Sequence, residues 1–248
     1  MMGSYNPLCL LILVVLSFEF WAVATASSFD FYYFVQQWPG SYCGTRRGCC
    51  NPLTGKPASD FSIHGLWPNY KTGKWPQFCN PSDEFDFSEI SDLVGELNSY
   101  WGSLSCPSSD GHTFWGHEWE KHGTCSLNLN QHDYFQKALS LRRKIDLLTA
   151  LKSAGIRPDG GEYRVSDIKK AIRNALGEDV GVDCNRSEEG EYQLNEIYVC
   201  VDKFDASTVI KCPVYPHSKC PSTVKFPLFG DEEEIASSSD QTTGPDKW

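Results

Sequence analysis

From Phe29 to Trp38 nearly every position is aromatic, branched or amide-bearing, and the run stops at Pro39-Gly40, a pattern that predicts a strand followed by a turn. Residues 41–58 are rich in Cys, Gly and Pro and read as a stapled loop. Apolar and polar positions then alternate from Asp60 to Trp67. This predicts a second strand with Phe61, Ile63 and Gly65 on one face, Ser62, His64 and Leu66 on the other, and Pro68 as its end. At Ser88 to Tyr100 the period changes: Ile90, Leu93, Val94 and Leu97 form a helical stripe behind a Ser88 N-cap. His132 to Ala154 reads as two helical stretches stopped by Gly155, and Ser166 to Leu176 as another stopped by Gly177. Gln193–Val201 and Ser207–Lys211 read as strands that Cys200 and Cys212 could cross-link. Strands and helices do not alternate regularly, so the expected fold class is α+β, in a single domain.

The two ends of the chain differ from this body. Leu8 to Leu16 is an apolar run followed by Ala24-Thr25-Ala26, a small-x-small cleavage pattern, although no Lys or Arg precedes Arg46. The run is too short for a membrane-spanning helix, which needs about 20 apolar residues. Residues 1–26 are therefore expected to be a signal peptide, and 27–230 a soluble monomeric domain of the secretory pathway, extracellular or vacuolar, with no membrane attachment after cleavage. Residues 231–248 hold six acids and one Lys with little to bury, and are expected to be a disordered acidic tail. Such a tail could be a sorting signal or a solvated extension.

Net charge is −10, with 32 acids against 22 bases. Because the tail accounts for much of the excess, the body is only mildly acidic. The balance excludes a protein held on nucleic acid by bulk electrostatics but not an enzyme that touches a phosphate briefly. Of 11 cysteines, Cys9 would leave with the signal. The remaining Cys43, Cys49, Cys50, Cys79, Cys106, Cys125, Cys184, Cys200, Cys212 and Cys220 are an even set, read as five disulfides in a secreted chain. No Cys-x-x-Cys pair offers zinc spacing. The adjacent Cys49 and Cys50 should bond elsewhere, and spacing leaves the pairing open. Asn185-Arg186-Ser187 is a glycosylation sequon consistent with that route, whereas Asn80 is followed by Pro.

Three of six histidines fall in two aromatic-rich segments, Phe61-Ser-Ile-His-Gly-Leu-Trp-Pro68 and Phe114-Trp-Gly-His-Glu-Trp-Glu-Lys-His-Gly-Thr-Cys125. On a helix His117, Glu118, Lys121 and His122 would share one face, with Trp115 and Trp119 beside it as anchors. His117-Glu118 suggests the zinc-protease pattern His-Glu-x-x-His, but Lys121 stands one turn on, where the second ligand is needed. Paired acid–base chemistry fits better. Cleaving a phosphodiester through a neighbouring 2′-hydroxyl needs a base, an acid and fixed positive charge on the phosphoryl oxygens. Histidines can take either proton role, Lys121 supplies the charge, and the reading calls for no metal and no cofactor. His112 in a Gly-Ser loop, His132 at or capping a helix start and His217 among Pro and Cys read as ordinary histidines without a catalytic role.

Both segments, together with Phe34-Val-Gln-Gln-Trp-Pro-Gly-Ser-Tyr-Cys43, closely resemble the ribonuclease T2 family, and most of all its plant S-like branch. The resemblance spans roughly residues 27–229 and implies a central antiparallel sheet flanked by helices, acting on single-stranded RNA. It implies His122 as base, His64 as acid, His117 on phosphate, and Glu118 and Lys121 on the transition state. Products would be a 2′,3′-cyclic phosphate and then a 3′-phosphate. Trp67 would shape the pocket, Tyr42 and Phe114 would stack on a base, and Gln37 would contact a second base. The implied disulfides are Cys43–Cys49, Cys50–Cys106, Cys79–Cys125, Cys184–Cys220 and Cys200–Cys212. A non-catalytic relative, such as a storage protein, would be favoured by loss of either His64 or His122, and both are present.

Overall fold

The computed structural model describes residues 29–126 and 129–230. The leader expected at 1–26 and the tail expected at 231–248 lie outside the described residues. Strand β1 (Phe31–Gln37) is buried on both faces, as its unbroken apolar run requires, and it pairs antiparallel with β2 (Ser62–Asn69). Its other edge pairs antiparallel with β5 (Tyr192–Val201), which also pairs antiparallel with β4 (Gly181–Arg186). The short strands β3 (Glu162–Arg164) and β6 (Thr223–Lys225) extend the sheet, β6 meeting β5 in the one parallel pairing among the described residues.

Helices α4 (Gln131–Lys144), α5 (Leu147–Ser153) and α6 (Val165–Leu176) cover one face of the sheet. Their apolar stripes, including Phe135, Leu139, Leu151 and Ile168, meet Phe34, Ile63, Leu66 and Val199 in the main core. The opposite face carries a smaller cluster of Phe31, Tyr33 and Val35 against Cys200 and Cys212. The disulfides are the five that the resemblance implied. No helix of the described residues is long and apolar enough to cross a membrane.

Several local expectations need correction. Pro68 lies within β2 rather than ending it, and Pro39-Gly40 opens a short helix, α1 (Pro39–Cys43), in place of a turn. Proline at a first helical position loses no hydrogen bond. The stretch Ser88–Tyr100 is broken into a 3-10 turn, Phe87–Ile90, and α2 (Val94–Tyr100). Asp86 rather than Ser88 caps the turn, its carboxylate accepting from the Ser88 N–H. Ser207–Lys211 forms only an isolated bridge, Val201 to Val209, because the Asp205 carboxylate takes the Ser207 and Thr208 N–H groups. Asn185 sits in β4 with its amide nitrogen donating to Ser41 O at 2.8 Å and Asn195 Oδ1 at 3.1 Å, two bonds that a glycan there would disturb.

Candidate active site

Strand β2 carries one residue more than β1 opposite it: Val35 pairs with Gly65 and Gln36 with Ile63, leaving His64 as the extra residue. Such a bulge reverses the parity of the side chains. Before it Phe61 and Ile63 face the helical core; after it Leu66 does. His64 and Trp67 consequently share the opposite face, against Tyr198, whereas strict alternation had put Leu66 beside His64. Two distant side chains pin this backbone: the Trp101 indole donates to His64 O at 3.0 Å, and the Tyr134 hydroxyl donates to Leu66 O at 2.9 Å.

The second segment forms α3 (His112–Lys121), which starts after Gly111 at φ 90°. His112 is thus helical rather than part of a loop. Trp115 and Trp119 are fully buried, as the periodicity predicts, and their indoles donate to Trp101 O at 2.8 Å and Asp83 O at 3.0 Å. Lys121 ends the helix. His122 is the cap residue just beyond it, with φ −116° and ψ −46°, so its direction is set by the helix end rather than by the helical face. The Cys79–Cys125 disulfide ties the following turn to the loop after β2.

Between these segments lies a cleft of about 570 Å³, lined by His64, Trp67, Phe114, His117, Lys121 and His122, with the Glu118 carboxylate at its floor. Trp67 organises it. The His122 ring stacks on the indole at 5.1 Å and 24°, and the His64 ring meets it edge-on at 4.8 Å. The indole N–H donates to Glu118 Oε2 at 2.8 Å. Phe114 lies 6.2 Å from the His64 ring. Gln37 and Tyr42 do not line the cleft. Gln37 donates to Glu196 Oε1 at 3.3 Å behind His64, and the Tyr42 hydroxyl pairs with Ser105 Oγ at 2.9 Å on α1. His217, read as an ordinary histidine, stands on the cleft wall with Tyr215.

One functional neighbour escaped the sequence reading. His64 Nδ1 lies 2.5 Å from Glu196 Oε1 on β5, 132 residues away. A lone acid within the apolar run of β5 was the available signal. Burial works against charge on His64, but the Glu196 hydrogen bond and charge, with Glu118 adding to them, outweigh it and raise the imidazole above its ordinary value. His122 goes the other way: burial first, then the cations Lys121, His64 and His117, push it down to about 3. Its buried Nδ1 has no hydrogen-bond partner among the described residues, so a second proton would gain nothing there. His117 is lowered too, by partial burial and by Lys121. Burial drives Glu118 up to about 7 despite His64, Trp67 and Lys121.

Gly65 is glycine because of a close approach. A Cβ there would stand 2.0 Å from Trp67 Nε1 and 2.2 Å from Glu118 Oε2. Gly65→Ala should therefore force that pair apart, lowering stability by about 1–3 kcal/mol and cutting turnover. Thermal denaturation alongside a turnover assay checks both, and an unchanged pair of values would contradict the geometry.

The described fold has known counterparts. The model of the Ribonuclease T2 family matches residues 29–212. Ribonuclease 3 of Arabidopsis thaliana is 55% identical over 205 residues, covering 82% of this chain and 92% of that one. Intracellular ribonuclease LX of Solanum lycopersicum is 52% identical over 236 residues, covering 94% and 98%. The crystal structure of RNase NT in complex with 5′-AMP superposes with a TM-score of 0.79 at 54% identity, covering 82% of this chain and all of that one.

Proposed function

The chain belongs to the ribonuclease T2 family, among its plant S-like ribonucleases, and from that premise we propose that it cleaves single-stranded RNA by acid–base exchange between His122 and His64. His122 takes the proton of the 2′-hydroxyl, whose oxygen attacks the adjacent phosphorus. His64 gives its proton to the departing 5′-oxygen, leaving a 2′,3′-cyclic phosphate. Water then opens the ring to a 3′-phosphate with the two proton roles exchanged.

The observation that carries this assignment is the unequal surroundings of the two imidazoles on either side of one indole. His64 has a carboxylate on Nδ1 and holds its proton; His122 has burial and cations and stays neutral. Lys121 supplies fixed positive charge for the phosphoryl oxygens, and His117 binds phosphate at the cleft edge. Glu118, raised to about 7 by burial, is uncharged on the acid side, so it can donate to a phosphoryl oxygen instead of repelling it. Phe114 offers a ring face for a base, and Trp67 shapes the pocket. Tyr42 and Gln37 would engage RNA only beyond the cleft itself. The leader expected at 1–26 would deliver a monomer to the extracellular space or the vacuole, free of membrane.

The test is cleavage of a dinucleotide series in EDTA across pH, with identification of the phosphate ends. The base must be neutral, so kcat/KM should rise as pH climbs through the His122 value of about 3. The acid must be charged, so the rate should fall as His64 deprotonates above the ordinary imidazole value of about 6.5. A bell on the acid side with cyclic and 3′-phosphate products is expected. Activity abolished by EDTA, or 5′-phosphate ends, would overturn the mechanism.

A further inference from the structure

We propose that Glu196 is a positioning residue for His64, fixing which ring nitrogen faces substrate and holding the imidazole in its proton-donating form. This rests on the acid role assigned to His64 above.

The geometry is that of a built pair. Glu196 is 8% exposed at its side chain and stands 2.5 Å from His64 Nδ1. An ionised carboxylate only accepts, so the proton between them sits on Nδ1, and Nε2 is left as the nitrogen available to the cleft. The carboxylate is itself held from both sides. The Tyr198 hydroxyl donates to Oε2 at 2.7 Å, and the Gln37 amide donates to Oε1 at 3.3 Å. Three strands meet here: Gln37 from β1, His64 from the β2 bulge, and Glu196 and Tyr198 from β5. A matching irregularity in β5, where Asp183 pairs with Glu196 and Cys184 with Leu194, leaves Asn195 as the extra residue beside Glu196.

A buried carboxylate is costly unless its hydrogen bonds are filled and a cation is near. Here His64, Tyr198 and Gln37 fill them, and although burial opposes ionisation, the His64 and Tyr198 bonds keep Glu196 below the usual carboxylate range. The other titratable groups around His64 are Glu118, which favours its charge only as it ionises at about 7, and Lys121 and His117 on α3 with His122 beyond it. Asp183 of β4 pairs across from Glu196, and burial together with that neighbour raises its carboxyl. Removing the Glu196 charge therefore removes the main support of the His64 proton.

The deciding variant is Glu196→Gln, which keeps shape and loses charge. An opposite charge at this range is worth about 1–3 units of imidazole pKa. The alkaline limb of the kcat profile should move to lower pH by at least ~1 unit, lowering kcat several-fold near pH 7 and approaching ~10-fold per unit on the alkaline flank, with KM little changed. Below about pH 4, well under the ordinary imidazole value, His64 is protonated without help and the deficit should close. Glu196→Asp should recover part of the loss. A deficit equal at every pH, or a profile identical to the unmutated enzyme, would overturn the inference. Should Glu196→Gln fail to fold, the His64 titration followed by NMR in the unmutated protein decides. A midpoint above about 6.5 supports the pairing and one below it overturns it. Failure of the catalytic reading is distinguishable: it appears as full activity in His64→Ala, whereas an inactive His64→Ala with a normal Glu196→Gln profile refutes Glu196 alone.

Discussion

His122→Ala should lose at least ~10³-fold in kcat on RNA, within the range that a positioned acid or base contributes, and His64→Ala should lose a comparable amount. The two losses differ in kind, and a change of substrate separates them. With a 3′-phosphodiester of uridine whose leaving group is p-nitrophenolate, the departing oxygen needs no proton. His64→Ala should then recover most of its activity, because only the acid is missing, and His122→Ala should recover none. Recovery of the His122 variant instead would exchange the two roles, and full activity in either variant on RNA would dismiss the pair. Fold loss is a small part of the effect. Truncating the His122 ring opens a void against Trp67, at a cost of about 1–3 kcal/mol, in a chain cross-linked by five disulfides. His64→Ala leaves Glu196 with Tyr198 and Gln37 as remaining donors, so that carboxylate is not orphaned.

Lys121→Met is expected to reduce kcat by about 10²- to 10³-fold, the range found when one preorganised charge stabiliser is removed. The ammonium stands at the end of α3 on the cleft wall, where charge builds on the phosphoryl oxygens, and the methionine keeps most of its volume. A second signature follows from electrostatics. Lys121 is the main cation opposing charge on His122, so its removal makes the imidazolium less unfavourable. The His122 value should rise from about 3 and carry the acid limb of the rate profile toward neutral pH. Lys121→Arg should retain the position of that limb and part of the rate. A Lys121→Met profile with full kcat and an unmoved acid limb would remove Lys121 from the mechanism.

The family relationship reaches the chemistry only through particular residues. His64, His117, Glu118, Lys121 and His122 come from two segments that the sequence already marks by their density of imidazoles and indoles. They converge because Trp67 of β2 stacks on His122 and donates to Glu118 of α3. What the convergence adds is inequality: similar side chains with opposed proton affinities, one beside Glu196 and the other buried among cations.

Local pattern was enough for β1, β5, α4, α5 and α6, because each buries a continuous stripe whose period shows in neighbouring residues, and Gly155 and Gly177 end their helices at φ 77° and 85°. The motif segments and the even cysteine set were equally local, being spelled out by residue type and spacing. Other features were settled by partners far along the chain. The bulge at His64 depends on β1 and on donors from Trp101 and Tyr134, and β4 and β6 form because β5 is there to pair with. Glu196 finds its histidine 132 residues away, and which cysteines join was set by resemblance and by the fold, never by spacing. Periodicity reports how a segment meets an apolar or aqueous surface; it carries no record of which distant group arrives at that surface, and that arrival decides the proton affinity of each imidazole.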